Sequence, residues 1–143
     1  NQSFYPNYKK IINRFATPIM IYKPNSNLKG IDYRLASHMD IYPSFAELIG
    51  YDKPFRSWGK SLFSEYSGDE YVINYFGGGS YFIMDEKYNC VHNGEKAIGF
   101  YNSKDYDLSK NLIENNNEEM IKLEKKCGMF LQDYFNRIIK GNM

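Results

Sequence analysis

The chain has 143 residues, enough for one domain or for one large piece of a bigger one. Its 43% hydrophobic and 17% aromatic content can fill a core, which excludes a disordered chain. Eighteen Lys and Arg stand against 17 Asp and Glu, a formal net charge of +1. No single-sign field is therefore available to hold nucleic acid or an anionic membrane by charge alone. The apolar runs fall far short of the ~20 residues that a spanning helix needs, and no leader pattern is read at the N-terminus. This segment is expected to make no membrane contact.

Residues 1–16 are polar and aromatic and carry no convincing element start. Thr17-Pro18-Ile19-Met20-Ile21-Tyr22 is a short apolar run that stops at Lys23-Pro24. A continuous run of this length reads as a buried strand covered on both faces, with Pro18 at its start where a missing N–H is tolerated. A loop follows from Pro24 to Gly30. Residues 37–50 read as a helix that Ser37 or Asp40 caps and Gly50 closes. Pro43 belongs in a first turn, which favours a start near Asp40. Ile41, Phe45, Leu48 and Ile49 then share one face. Lys53 to Ser64 is a loop with the only tryptophan, Trp58.

The period changes at Tyr71. Tyr71–Phe76, Tyr81–Met84, Tyr88–His92 and Lys96–Tyr101 are four β-rich runs. Gly77-Gly78-Gly79, Asp85-Glu86-Lys87 and Asn93-Gly94 separate them, which predicts a four-stranded antiparallel meander. Asn93-Gly94 is the strongest hairpin signal, with both residues expected at positive φ. Residues 115–141 are the clearest helix. Asn116 or Asn117 caps it, Glu118 and Glu119 complement the macrodipole, and Gly141 stops it. Met120, Leu123, Cys127, Phe130, Leu131, Tyr134 and Ile138 form an apolar stripe that the meander is expected to cover. The fold class is α+β: a buried strand and helix, then the antiparallel sheet packed by the long C-terminal helix.

Candidate chemistry is thin. Cys90 and Cys127 are the only cysteines, without the CxxC spacing of a structural zinc site; they could form one disulfide, and the favoured reading is free or buried thiols. Strand-like runs flank the three glycines, so they read as a hairpin turn and not as a phosphate cradle. Ser37-His38-Met39-Asp40 holds three residue types of a hydrolytic triad, but triad groups converge from separate elements. Asp40 reads as a cap, and His38 is retained as a possible cleft contact. His92 is expected at the surface beside its turn. Trp58, with Phe55 and Arg56, reads as core or loop packing or as a pocket rim. No metal ligand set and no catalytic residue is assigned.

Three segments carry a resemblance. Ala16 to Pro24 is similar to the "iPlliY.P" strand of sulfatases and lipoteichoic acid synthases. Ser37 to Gly50 resembles their "sqiDi.PTll.llG" helix, with Ser44 where the family usually has Thr. Gly59-Lys60-Ser61-Leu62-Phe63 resembles the "G.SLf" that follows. Order and spacing fit the alkaline phosphatase-like superfamily, nearest its lipoteichoic acid synthase-like sulfatase branch. The match covers about residues 16–63. The resemblance implies that residues 1–64 are the C-terminal end of a sulfatase-like α/β core and residues 65–143 a C-terminal subdomain. It also implies a membrane-anchored, extracytoplasmic parent enzyme using a divalent metal (Mn²⁺, Zn²⁺ or Ca²⁺) to help a hydroxyl nucleophile attack a sulfate or phosphate ester. The family's nucleophile, its acidic metal ligands and an Asp-His pair all lie upstream of the matched strand. No family catalytic residue falls on this chain, and His38 sits where members vary.

The partner expected on this reading is the missing N-terminal part of the same enzyme, or a second copy held through exposed edges. A rival reading is a stand-alone binding module that offers an aromatic sheet face to a glycan or a protein. Its mark is an open aromatic row on the face away from the helix. A small autonomous hydrolase built on His38 and Asp40 is the third.

Overall fold

The fold is known from a computed structural model, which describes residues 9–141. It is α+β. Helix α1 spans Ile41–Leu48, four strands follow (β1 Val72–Gly77, β2 Ser80–Met84, β3 Tyr88–His92, β4 Ala97–Asn102), and helix α2 spans Glu118–Lys140. The strands form one antiparallel sheet in the order β1-β2-β3-β4, as the four β-rich runs predict.

Register decides what each face carries. Ile73, Ile83, Cys90 and Phe100 are mutual cross-strand partners and so share one face. Helix α2 lays Met120, Leu123, Cys127 and Leu131 onto that row, and together these residues form the main core. Ile83, Cys90 and Cys127 are fully buried. Asn117 caps the helix by accepting the Met120 N–H at 3.0 Å, and Gly141 closes it with φ 64°. The far end of the stripe behaves differently: Tyr134 and Ile138 are exposed.

The opposite face has a cover that the sequence did not signal. Ile12 and Phe15, in a 3₁₀ turn over Ile12–Phe15, pack with Leu35 and Leu108 against Val72, Phe76, Phe82 and Met84. Phe15 stands 5.0 Å from the Phe82 ring and 6.0 Å from Phe76. Ile12 is tied in place through its N–H to the Tyr106 carbonyl at 3.0 Å. The outer edge of β4 is covered as well. Asn111 accepts the Phe100 N–H and donates to the Ile98 carbonyl, standing in for a neighbouring strand.

The glycine turn is where left-handed backbone is required. Gly77 pairs with Ser80, leaving Gly78 and Gly79 as the two loop residues with φ 57° and 80°. Asn93-Gly94 is looser than expected. Only Gly94 is left-handed, and Asn93 bridges the turn by accepting the Glu95 and Lys96 N–H groups.

Three expectations fail. Thr17–Tyr22 is neither a strand nor buried. It pairs with no other strand among the described residues, and Met20 and Tyr22 are 93% and 88% exposed. Its side chains suit a sheet, but a strand needs a ladder neighbour for its N–H and C=O groups. His92 is buried, 3% exposed, because its side chain shares the α2-facing side of β3 and lies near Glu124. And α1 is turned over. Pro43, Ser44 and Ala46 are buried, while Ile41, Phe45 and Ile49 face solvent.

Two outcomes follow from this core. Leu123→Ala should cost about 3 kcal/mol in a urea melt, the transfer and cavity cost of a buried leucine. Burial lowers the His92 pKa and the Glu124 charge only partly offsets it. A lowered folded-state value means that neutral His92 stabilises the fold above the unfolded value near ~6.5, and that this contribution is lost as pH falls below it. The melting midpoint should therefore drop between about pH 7 and 5, and His92→Gln should flatten that limb.

Candidate functional site

Two of the three segments that carry the resemblance, 37–50 and 59–63, come together in space. Ser37 opens the helical stretch with a capping box: its hydroxyl accepts the Met39 N–H at 3.1 Å, and Asp40 Oδ2 accepts the Ser37 N–H at 2.7 Å. The cap is thus Ser37, and Asp40 serves as its partner at the third position. Asp40 Oδ1 accepts the Lys60 N–H at 2.8 Å, so one carboxylate joins the helix start to the 59–63 segment. Ser44, 2% exposed, donates to the Asp40 carbonyl at 2.5 Å and accepts the Leu62 N–H at 2.8 Å. Gly59 is required for this approach. A Cβ there would sit 2.1 Å from the Met39 carbonyl oxygen, which is backbone and cannot swing away.

Trp58 ties this unit to α2. Its indole N–H donates to Asp133 Oδ2 at 2.7 Å, and the Arg137 guanidinium lies 4.5 Å from its ring centre. Arg137 also pairs with Asp133 at 2.7 Å, one helical turn away. The indole bond and the Arg137 charge both hold the Asp133 carboxyl below the usual range. The tryptophan therefore packs, as read, and also walls a small cavity of about 50 Å³ shared with Arg34, Asp40, Lys60, Glu70 and Tyr71. That space suits a water or two, not a substrate. Burial pushes the Glu70 carboxyl up, but hydrogen bonds from Ser67, helped by the Lys60 charge, bring it below the ordinary value.

The other candidates do not converge. His38 is exposed on the 3₁₀ turn and does not line the cavity. Both Asp40 oxygens are taken by backbone N–H groups. Cys90 and Cys127 are free thiols buried between sheet and helix. Burial pushes the Cys127 thiol up to about 12 and raises Cys90 as well, so neither is a poised nucleophile. Among the described residues no group of three His, Cys, Asp or Glu is placed to hold a metal ion. Among the same residues no helix is long and apolar enough to cross a membrane.

The aromatic row of the binding-module reading is not open. Tyr71, Tyr81 and Tyr88 are half-buried at the α2 face, and Phe76 and Phe82 lie under Phe15 on the other. Only Tyr75 of the strand tyrosines is exposed, packed edge-on to Tyr81 at 5.5 Å.

No protein-family model matches the chain, and neither a search of curated proteins nor one of solved structures returns a match.

The latch between residues 37–44 and 59–62 is measurable. Ser44→Ala leaves the half-buried Leu62 N–H without its acceptor and should cost about 1 kcal/mol. Gly59→Ala should cost at least as much, because the added methyl meets fixed backbone. Denaturant melts of both, with Ser61→Ala on the same loop as a milder control, check the latch.

Proposed function

We propose that this chain is the C-terminal, non-catalytic scaffold of a metal-dependent enzyme of the sulfatase and phosphoglycerol transferase type. Such an enzyme acts on sulfate or phosphate esters through a hydroxyl nucleophile carried upstream. One observation carries the reading. Thr17–Tyr22 has the composition of a buried strand, yet it lies exposed with no ladder neighbour among the described residues. A segment of that kind suits a sheet supplied from elsewhere, and it is the same segment that resembles the family's central-sheet strand.

The latch supports the reading from another side. The helix and the loop that resemble consecutive family motifs are held together by Asp40, Ser44 and Gly59. Those three residues serve geometry. In this role they would fix the helix and loop as one wall next to a cleft whose reacting groups belong to the remainder of the enzyme. The divalent metal would bind on that remainder and stabilise developing charge on the ester. The residues described here would position and exclude water, with His38 exposed at the start of the helical stretch.

The test is the coding sequence upstream of Asn1, read together with activity. Codons for an Asp-His pair shortly before it, and for a Thr, Ser or Cys nucleophile further up, are expected. The protein translated from that longer frame should hydrolyse a nitrophenyl phosphate or sulfate with added divalent metal, and residues 1–143 alone should not. A start codon directly before Asn1, or turnover by the 143-residue chain, would overturn the proposal.

A further inference from the structure

Helix α1 carries its apolar stripe on the wrong side for a buried helix. Ile41, Phe45 and Ile49 fall at i, i+4 and i+8, and Tyr42 borders them, so the four cover an arc of about 100°. They are 45%, 57%, 62% and 55% exposed in that order. The stripe is extended by Tyr51 and Phe55. Phe55 packs edge-on to Tyr42 at 5.0 Å, and Tyr51 stands 6.0 Å from Phe55. None of the six side chains carries a charge.

Size separates this patch from ordinary surface. From their exposed fractions the six residues, backbone included, present roughly 700 Å², more than the few hundred Å² of a typical monomer's patch. It is close to the roughly 800 Å² that each partner contributes to a standard interface. Shape points to what covers it. Ile41, Phe45 and Ile49 form one i±4 ridge, with Tyr42 beside it as the wall of a groove. Two such ridges interdigitate with each other at the commonest helix crossing angle of about −50°. A ridge that fits its own copy generates an isologous two-fold contact, which closes on itself as a dimer.

We infer that the α1 face is the dimer interface of this chain, with a second copy as its occupant and the Ile41–Phe45–Ile49 ridges of the two copies packed together. The inference goes beyond the enzyme reading and does not depend on it. The contact joins surfaces that face solvent in the single chain, so no rearrangement of the sheet or of α2 is needed.

Sedimentation equilibrium of the 143-residue chain tests it. A closed monomer–dimer equilibrium is expected. Phe45→Glu would place a charge in the centre of the contact and weaken association at least about tenfold. Phe45 is 57% exposed, so the far-ultraviolet circular dichroism should keep its wild-type form. Should that variant lose its fold, Ile49→Lys reads the same contact from the end of the ridge. Ile21→Lys, in the exposed 17–22 segment, should leave the dimer intact. A monomer at every concentration would overturn the inference. So would open-ended aggregates, a dimer that survives Phe45→Glu, or one that Ile21→Lys dissolves. None of these bears on the upstream coding sequence, so the enzyme reading stands or falls separately.

Discussion

The contact between α2 and the Ile73–Ile83–Cys90–Phe100 row is the constraint on which everything else depends. It supplies most of the buried apolar residues among those described, and it fixes which face of each strand is inside. Once that row is buried, the alternation of a strand sends Val72, Phe82 and Val91 to the other face. That second face would be wet without Ile12 and Phe15. The turn that carries them therefore belongs to the sheet's core, although it precedes β1 by more than fifty residues of chain.

Helix α2 also reaches beyond the sheet, and its distal part does a different job. Phe130, Asp133, Tyr134 and Arg137 make a seat for Trp58. Trp58 is followed at once by Gly59 and Lys60, the residues that close on Met39 and Asp40. Position is thus handed from the core to α2, from α2 to Trp58, and from Trp58 to the latch. The latch in turn buries Ser44 and Ala46 and so turns the apolar stripe of α1 outward. The outward stripe of α1 and the exposed 17–22 segment both leave apolar side chains open to solvent, whereas Ile12, Phe15, Leu35 and Trp58 from the same part of the chain are packed.

Much of the fold was legible because local signals agreed with one another. The four strands sit within a residue or so of the β-rich runs, and the Asn117 cap and Gly141 stop of α2 match its stripe. What was not legible depends on long-range partners. Periodicity assigns Ile41, Phe45 and Ile49 to one face but cannot say that Ser44, through Leu62, would claim the inside. The run Thr17–Tyr22 reads as a strand from propensity, which is silent about whether a neighbour exists. His92 was expected at the surface because it adjoins a turn, whereas register places it beside Glu124 under α2. The role of Asp40 was half legible: a local capping group was evident, and its second bond to Lys60, twenty residues on, was not.

The central claim is that one cooperative core, the sheet with α2 and the Ile12–Phe15 cover, carries a 17–22 segment that lies exposed with no ladder neighbour among the described residues. Amide hydrogen exchange on the dilute chain tests it most directly. Amides of Ile83, Cys90 and Leu123 should exchange only on global unfolding, while those of Ile19 to Tyr22 exchange at nearly the free-peptide rate. Protection of Ile19 to Tyr22 comparable to that of Ile83 would mean that the segment is paired within the chain, and would contradict the account.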